Sequence, residues 1–238
     1  MDKAFGTAVS PIPSTSRKAA ARAALVDIKD PAKGILLDCF KQFGVDCVFL
    51  SGDAEDRLRK EKFDACVVKL APGAEAVMES ARTSPSNSRI IIYGLGGSAQ
   101  QAMSYSKYGI NAIFHEPLER PAALKLVRAT QMLVLHEFRR YVRIPVITEV
   151  SVVTPDGRRF TATSHEISAG GMSMRSNEDM SPGLAAEVSF ALLTLPRIWV
   201  RGTVSWRKPA SKSFGLRFDA QDHRRLRIKE WVDAYLES

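Results

Sequence analysis

The chain has 238 residues, 45% hydrophobic and 25% charged, with 34 Lys and Arg against 26 Asp and Glu for a net charge of +8. This composition excludes a disordered chain, and no apolar run reaches the ~20 residues of a bilayer-spanning helix. Three cysteines (Cys39, Cys47, Cys66) without Cys-x-x-Cys spacing and four scattered histidines argue against a disulfide framework or a metal site.

The positive excess is uneven. Residues 1–22 carry net +3 and residues 131–238 net +4, while 23–130 are close to balance at +1. With no recognition helix or zinc-finger spacing, nucleic acid is not an expected partner. A small anionic ligand accounts for part of the C-terminal excess. Residues 1–22, with Pro11, Pro13 and several Ser and Thr, read as a flexible tail. The segment Met1–Ala19 has no apolar signal-peptide core, so the cytoplasm is the expected location.

From residue 23 short apolar runs alternate with helical stretches. Strands are expected at 24–28, 46–50, 63–70, 90–93 and 111–115. Helices are expected at 31–43, 53–62, 75–82 and 100–108, with one long helix from Pro117 to about Arg140. In the first helix Ile35, Leu36, Cys39 and Phe43 share a face. Strands this apolar, without alternation, imply a parallel sheet covered on both faces. The long helix reads as a rigid connector, a passive spacer or a dimer face.

After Pro145 the period becomes two. Val146, Thr148, Val150 and Val152 alternate with Ile147, Glu149, Ser151 and Val153, and Pro155-Asp156-Gly157 marks a turn. Further strands at 158–165, 171–175, 186–193, 197–207 and 213–219 have the spacing of a small barrel. A closing helix places Ile228, Trp231, Val232 and Tyr235 on one stripe, expected to plug the barrel.

Two stretches carry the chemistry. Arg139, Arg140 and Arg143 put three guanidinium groups within five residues, and each is able to grip a phosphate or a guanine O6/N7 edge bidentately. Glu166, Ser168, Gly170 and Gly171 follow, offering a carboxylate, a hydroxyl and two glycines that admit close backbone approach. Taken alone, the arginines also suit a helix C-terminus, where they complement the dipole, and Arg143 could pair with Glu166 as scaffold.

The order Arg-x-x-x-Arg, then acidic-x-Ser-x-x-Gly on an early strand, resembles the signature of PilZ domains, bacterial receptors for cyclic di-GMP. The resemblance runs from about Phe138 to the C-terminus. It includes Gly202-Thr203-Val204-Ser205-Trp206 and Phe214-Gly215-Leu216-Arg217-Phe218, and it departs at Glu166, where the family has Asp or Asn. It implies a six-stranded β-barrel with a C-terminal helix. It also implies that Arg139, Arg140 and Arg143 hold phosphates and guanine edges, that Glu166 accepts from guanine N–H groups, that Ser168 hydrogen-bonds the ligand, and that Gly170 and Gly171 leave room.

The N-terminal half is similar, more weakly, to a response-regulator receiver domain, a doubly wound (βα)5 fold. A receiver's phosphoacceptor aspartate is here Lys69, its lysine before the proline after strand five is Glu116, its hydroxyl ending strand four is Gly94, and its acidic pair is reduced to Asp27 and Asp30. An amine neither accepts a phosphoryl group as a carboxylate does nor ligates magnesium. The resemblance therefore implies a pseudo-receiver that is not phosphorylated. Lys69 and Glu116 either pair across the old site or both face water.

The expected organisation is a tail at 1–22, a receiver-like domain at 23–130, a helical linker at 131–144 and a barrel at 145–238. No catalytic pair, triad or phosphate-cradling loop appears, so no enzyme, cofactor or metal is expected, and Gly94-Leu95-Gly96-Gly97 reads as a turn. One functional reading is a cyclic di-GMP-binding effector that signals by moving the barrel relative to the receiver-like domain. Its further partner would be a protein, or a second copy through the receiver-like domain or linker helix. The other is an adaptor whose barrel no longer binds nucleotide.

Overall fold

The computed structural model describes residues 20–97 and 99–237. The tail expected at 1–22 falls outside the described residues as far as residue 19. The described residues form two compact units that part between Arg139 and Arg140.

The N-terminal unit alternates strand and helix: β1 (Ala21–Val26), α1 (Ala32–Lys41), β2 (Val45–Leu50), α2 (Ala54–Lys60), β3 (Ala65–Lys69), α3 (Ala74–Thr83), β4 (Ile91–Leu95), α4 (Ala99–Ser104), β5 (Ala112–Phe114) and α5 (Arg120–Tyr141). The strands pair in parallel in the order β2-β1-β3-β4-β5. That is the flavodoxin-like and receiver order, in which the strand order reverses between β1 and β3.

Because side chains alternate across a strand, the apolar runs feed two cores at once. Ala23, Leu25, Ala65, Val67, Ile91 and Tyr93 face α1 and α5, where Leu36, Phe40, Val127 and Val134 complete the packing. Ala24, Val26, Cys66, Val68 and Ile92 face the other way, onto Leu58, Met78 and Ala81. Tyr93 stacks on Phe114 at 5.3 Å, and its hydroxyl hydrogen-bonds Thr130 of α5 at 2.6 Å.

The start of the first strand differs from expectation. Strand β1 begins at Ala21, so Arg22 is a strand residue. Its N–H donates to the Asp64 carboxylate, and its guanidinium donates to Glu61 and to the Lys62 carbonyl. Three acceptors contributed by the β3 side hold it, which a local pattern cannot foresee. Residues 131–141, within the helical linker expected at 131–144, form the second half of α5, where Val134 and Phe138 continue the apolar face that packs on the sheet.

The C-terminal unit contains β6 (Ile144–Pro145), β7 (Glu149–Val153), β8 (Arg159–Ser168), β9 (Gly171–Arg175), β10 (Ala185–Leu192), β11 (Leu195–Lys208), β12 (Ser213–Phe218) and α6 (Arg225–Glu237). Strands β8-β7-β10-β11-β12-β9 pair in that order and β9 returns to β8, closing a six-stranded antiparallel barrel. The short β6 lies beside the end of β8.

The single strand expected at 146–153 is interrupted at 146–148, where the buried Ser164 side chain intervenes between backbone bonds to β8. Ser164 Oγ accepts from Thr148 N–H and donates to the Val146 carbonyl. Along α6, Ile228 and Val232 are fully buried, as a barrel-covering stripe requires. Trp231 and Tyr235 sit at its margin, stacked on each other at 5.8 Å, and the Trp231 indole donates to Thr194. Among the described residues no helix is long and apolar enough to cross a membrane.

Candidate functional site

In the N-terminal unit a cleft opens where open α/β sheets bind ligands, beyond the carboxyl ends of β1 and β3. Asp27, Asp53, Glu55, Asp56 and Lys69 line it, with Gly73 at the start of α3. Lys69 ends β3 and reaches across to Glu116, Nζ to Oε1, at 3.1 Å. Of the two arrangements open to this pair, the structure has the ion pair.

Gly96 is fitted to it. The residue has φ +72°, and a Cβ there would overlap the Glu116 carboxylate. Gly94 has a packing reason too, since a Cβ would meet the Leu70 side chain at 2.9 Å. A side chain there would require Leu70 to shift. Among the described residues no three His, Cys, Asp or Glu side chains gather as a cation site needs.

The second cleft lies on the barrel, with a volume of about 470 Å³. Arg140 and Arg143 border it from the end of α5 and the segment that follows. Glu166 and Ser168 come from β8, and Gly170 and Gly171 from the turn into β9. Of the seven residues expected at the site, these six line one cavity. Arg139 is one residue earlier on α5, on the other side of the division between the units, and is not among the lining residues.

Each lining group has a local cause. Arg143 follows the last turn of α5, where carbonyls lack helical partners. Its Nη1 donates to the Val142 carbonyl at 3.0 Å and, at 3.4 Å, to that of Arg140. Its Nε and Nη2 have no protein acceptor among the described residues and remain available at the cleft. Ser168 is buried, and its hydroxyl donates to the Gly171 carbonyl at 3.0 Å, tightening the β8–β9 turn.

The two glycines differ in role. Gly170 faces open space, whereas a Cβ on Gly171 would collide with the Leu216 carbonyl of β12. Gly171 thus serves the close approach of two strands, and Gly170 leaves the room.

Glu166 is exposed and has neither ion pair nor side-chain hydrogen bond among the described residues. The scaffold pairing of Arg143 with Glu166 is therefore not formed. A register shift in β8 between Ser164 and Glu166 sets the carboxylate's direction, and a second one in β11, between Val204 and Trp206, sets the indole's. Bulges beside a site commonly re-aim side chains in this way.

Five further lining residues, Ser205, Trp206, Gly215, Leu216 and Arg217, come from β11 and β12. Register explains the grouping: Trp206 pairs with Gly215, Gly215 with Ser173, and Ser173 with Glu166. The indole lies over Gly215, where any Cβ would overlap it. In sequence these residues read only as strand landmarks, within Gly202-Thr203-Val204-Ser205-Trp206 and Phe214-Gly215-Leu216-Arg217-Phe218. Three guanidinium groups against one carboxylate leave the cleft with a formal excess of two positive charges.

Residues 137–234 match the family model described as "PilZ domain". No curated protein matches the chain. Among solved structures, the chain is similar to the receiver domain of a sensor histidine kinase from Pseudomonas aeruginosa, at 17% identity and TM-score 0.41, over 49% of this chain and 98% of that one. It is also similar to the PilZ domain of CeSA from a cellulose-synthesizing bacterium, at 14% identity and TM-score 0.34, over 40% of this chain and 97% of that one. A third likeness is to an inhibitor of motility from Bacillus subtilis, at 16% identity and TM-score 0.34, over 40% of this chain and 50% of that one. With the six-stranded barrel and the paired motifs already described, residues 137–234 are a PilZ domain, and they follow a unit whose strand order is that of a receiver.

Proposed function

We propose that the protein is a non-enzymatic signalling effector that binds cyclic di-GMP in the barrel cleft and responds by rearranging the barrel relative to the receiver-like unit. The observation that carries this reading is the meeting of Arg140, Arg143, Ser168 and Gly170 around one cavity in a PilZ domain. The ligand carries two phosphates and two guanines. Guanidinium forks suit both, holding a phosphate or the O6/N7 edge bidentately. Arg143 would use its free Nε and Nη2, and a phosphate could also draw Nη1 from the helix-end carbonyls. Arg139 would join from the adjacent position of the same turn. Glu166 would accept from guanine N1–H and N2–H. The receiver-like unit, with Lys69 tied to Glu116 where a phosphoacceptor would stand, would take no part in phosphoryl transfer.

Titration calorimetry with cyclic di-GMP tests the proposal. Micromolar or tighter binding that Arg143→Ala abolishes is the expected result. Absence of heat at high ligand concentration in low salt would overturn it and leave an adaptor that has lost its nucleotide.

A further inference from the structure

Strand β3 and helix α5 are tied by charge at both ends. At the carboxyl end of β3, Lys69 holds Glu116, just before α5 begins. At the amino end, Lys62 Nζ lies 2.9 Å from Glu137 Oε1 and 3.5 Å from Asp64 Oδ1. Glu137 sits one turn before the arginines, on the face of α5 whose other buried residues are Ala123, Val127, Thr130 and Val134. Glu137 and Asp64 are each 3% exposed, and one ammonium serves both carboxylates. Asp64 Oδ2 takes the Arg22 N–H at 2.9 Å, while Oδ1 has no hydrogen-bond partner. Burial accordingly pushes the Asp64 carboxyl upward.

A buried ion pair is weak evidence for stability, since apolar residues of similar volume often do as well. Its better-attested use is to fix register, because a helix that slides or turns leaves a buried charge unmatched. Here the fixed element is the last part of α5. Arg140 stands three residues beyond Glu137 on the same helix, and Arg143 follows directly after its end.

We propose that Lys62 and Glu137 are positioning residues for the arginine motif. By holding the register of α5 against β3, they keep the turn bearing Arg139 and Arg140, and the exit bearing Arg143, in the geometry that captures an anionic ligand. Affinity then depends on two residues that touch no ligand. In this form the inference rests on the nucleotide-binding reading, but its structural half stands apart from it.

The test uses the full chain with Lys62→Met, Glu137→Gln and the swap Lys62→Glu/Glu137→Lys. Each single change should weaken cyclic di-GMP binding about tenfold, within the usual range of coupling between sites, and the swap should recover most of the loss. Without nucleotide, amide hydrogen exchange should quicken at residues 136–143 in both single variants, with β10 and β11 unchanged. If Lys62→Met does not fold, the near-isosteric Glu137→Gln carries both measurements. Wild-type affinity together with unchanged exchange at 136–143 overturns the inference. If the wild-type chain binds no cyclic di-GMP, the functional reading fails, and exchange alone decides whether the pair orders the arginine turn.

Discussion

Lys69 and Glu116 face each other with reversed charge across the place where a receiver would hold its aspartate and lysine, 3.1 Å apart and about half exposed. At that exposure the pair contributes little to stability, on the order of 0.5 kcal/mol, because water and salt screen it. Its consequence is chemical, since the carboxyl end of β3 presents an amine that is already engaged.

Lys69→Ala should therefore lower stability by less than about 1 kcal/mol in urea unfolding. Gly96→Ala should cost more, about 2 kcal/mol, because it adds left-handed backbone strain to displacement of the Glu116 carboxylate. In a Glu116→Ala background the Gly96 penalty should fall to its backbone part. Equal penalties in both backgrounds would show that Glu116 does not determine the glycine.

Acid should act on the N-terminal unit through Glu61. Hydrogen bonds from Arg57 and then Arg22 hold its carboxyl down at about 2, against an ordinary value of 4.5. A folded-state value below the unfolded one means that the ionised form stabilises the fold. That contribution is complete above about pH 5 and is lost as pH falls from there toward 2. The urea midpoint of wild type should exceed that of Glu61→Gln at pH 7, and the gap should narrow between pH 5 and pH 3. A gap independent of pH contradicts this assignment.

How far the sequence exposes this structure depends on whether the signal is local. The apolar runs at β1, β3 and β4, the turn at Pro155-Asp156-Gly157 and the stripe Ile228 and Val232 are visible because neighbours along the chain create them. Barrel closure by β8 and β9 is not visible in this way, and neither is the meeting of Trp206 with Glu166, because both depend on register summed across four strands. The site was legible where a motif is contiguous, as at Arg140 and Arg143 or Ser168 and Gly170. It was not legible at Arg217. Arg22 shows the converse: it reads as part of a tail until Asp64 and Glu61, some 40 residues away, are brought beside it.

Trp206 makes the cleft measurable. Of the three tryptophans, Trp206 alone lines the cavity, while Trp231 donates to Thr194 and Trp199 lies on β11 outside the lining. Cyclic di-GMP should change the emission of the wild-type chain, and Trp206→Phe should remove most of that change while the calorimetric heat remains. Gly215→Ala, which forces the indole to move, should shift the emission of the free protein. An undiminished response in Trp206→Phe would place the ligand elsewhere.

If the cleft binds cyclic di-GMP as proposed, Glu166 should act on selectivity more than on affinity. It is exposed, lacks a protein partner among the described residues, and shares the cleft with Arg140, Arg143 and Arg217. Toward phosphate a carboxylate is repulsive, so its favourable use is as an acceptor for the N1–H and N2–H of guanine, donors that adenine does not present on that edge. Glu166→Ala should then bind cyclic di-GMP and cyclic di-AMP with affinities within about threefold of each other. The wild-type chain should prefer the guanine ligand by tenfold or more, since one charge-assisted hydrogen-bonded pair is worth about 1.5–3 kcal/mol. Glu166→Asp withdraws the carboxylate by one methylene, so it should retain the preference while changing the absolute affinity. If Glu166→Ala instead binds cyclic di-GMP more tightly and stays selective, the carboxylate is acting only as a negative charge near the phosphates, and guanine is read by the arginines alone.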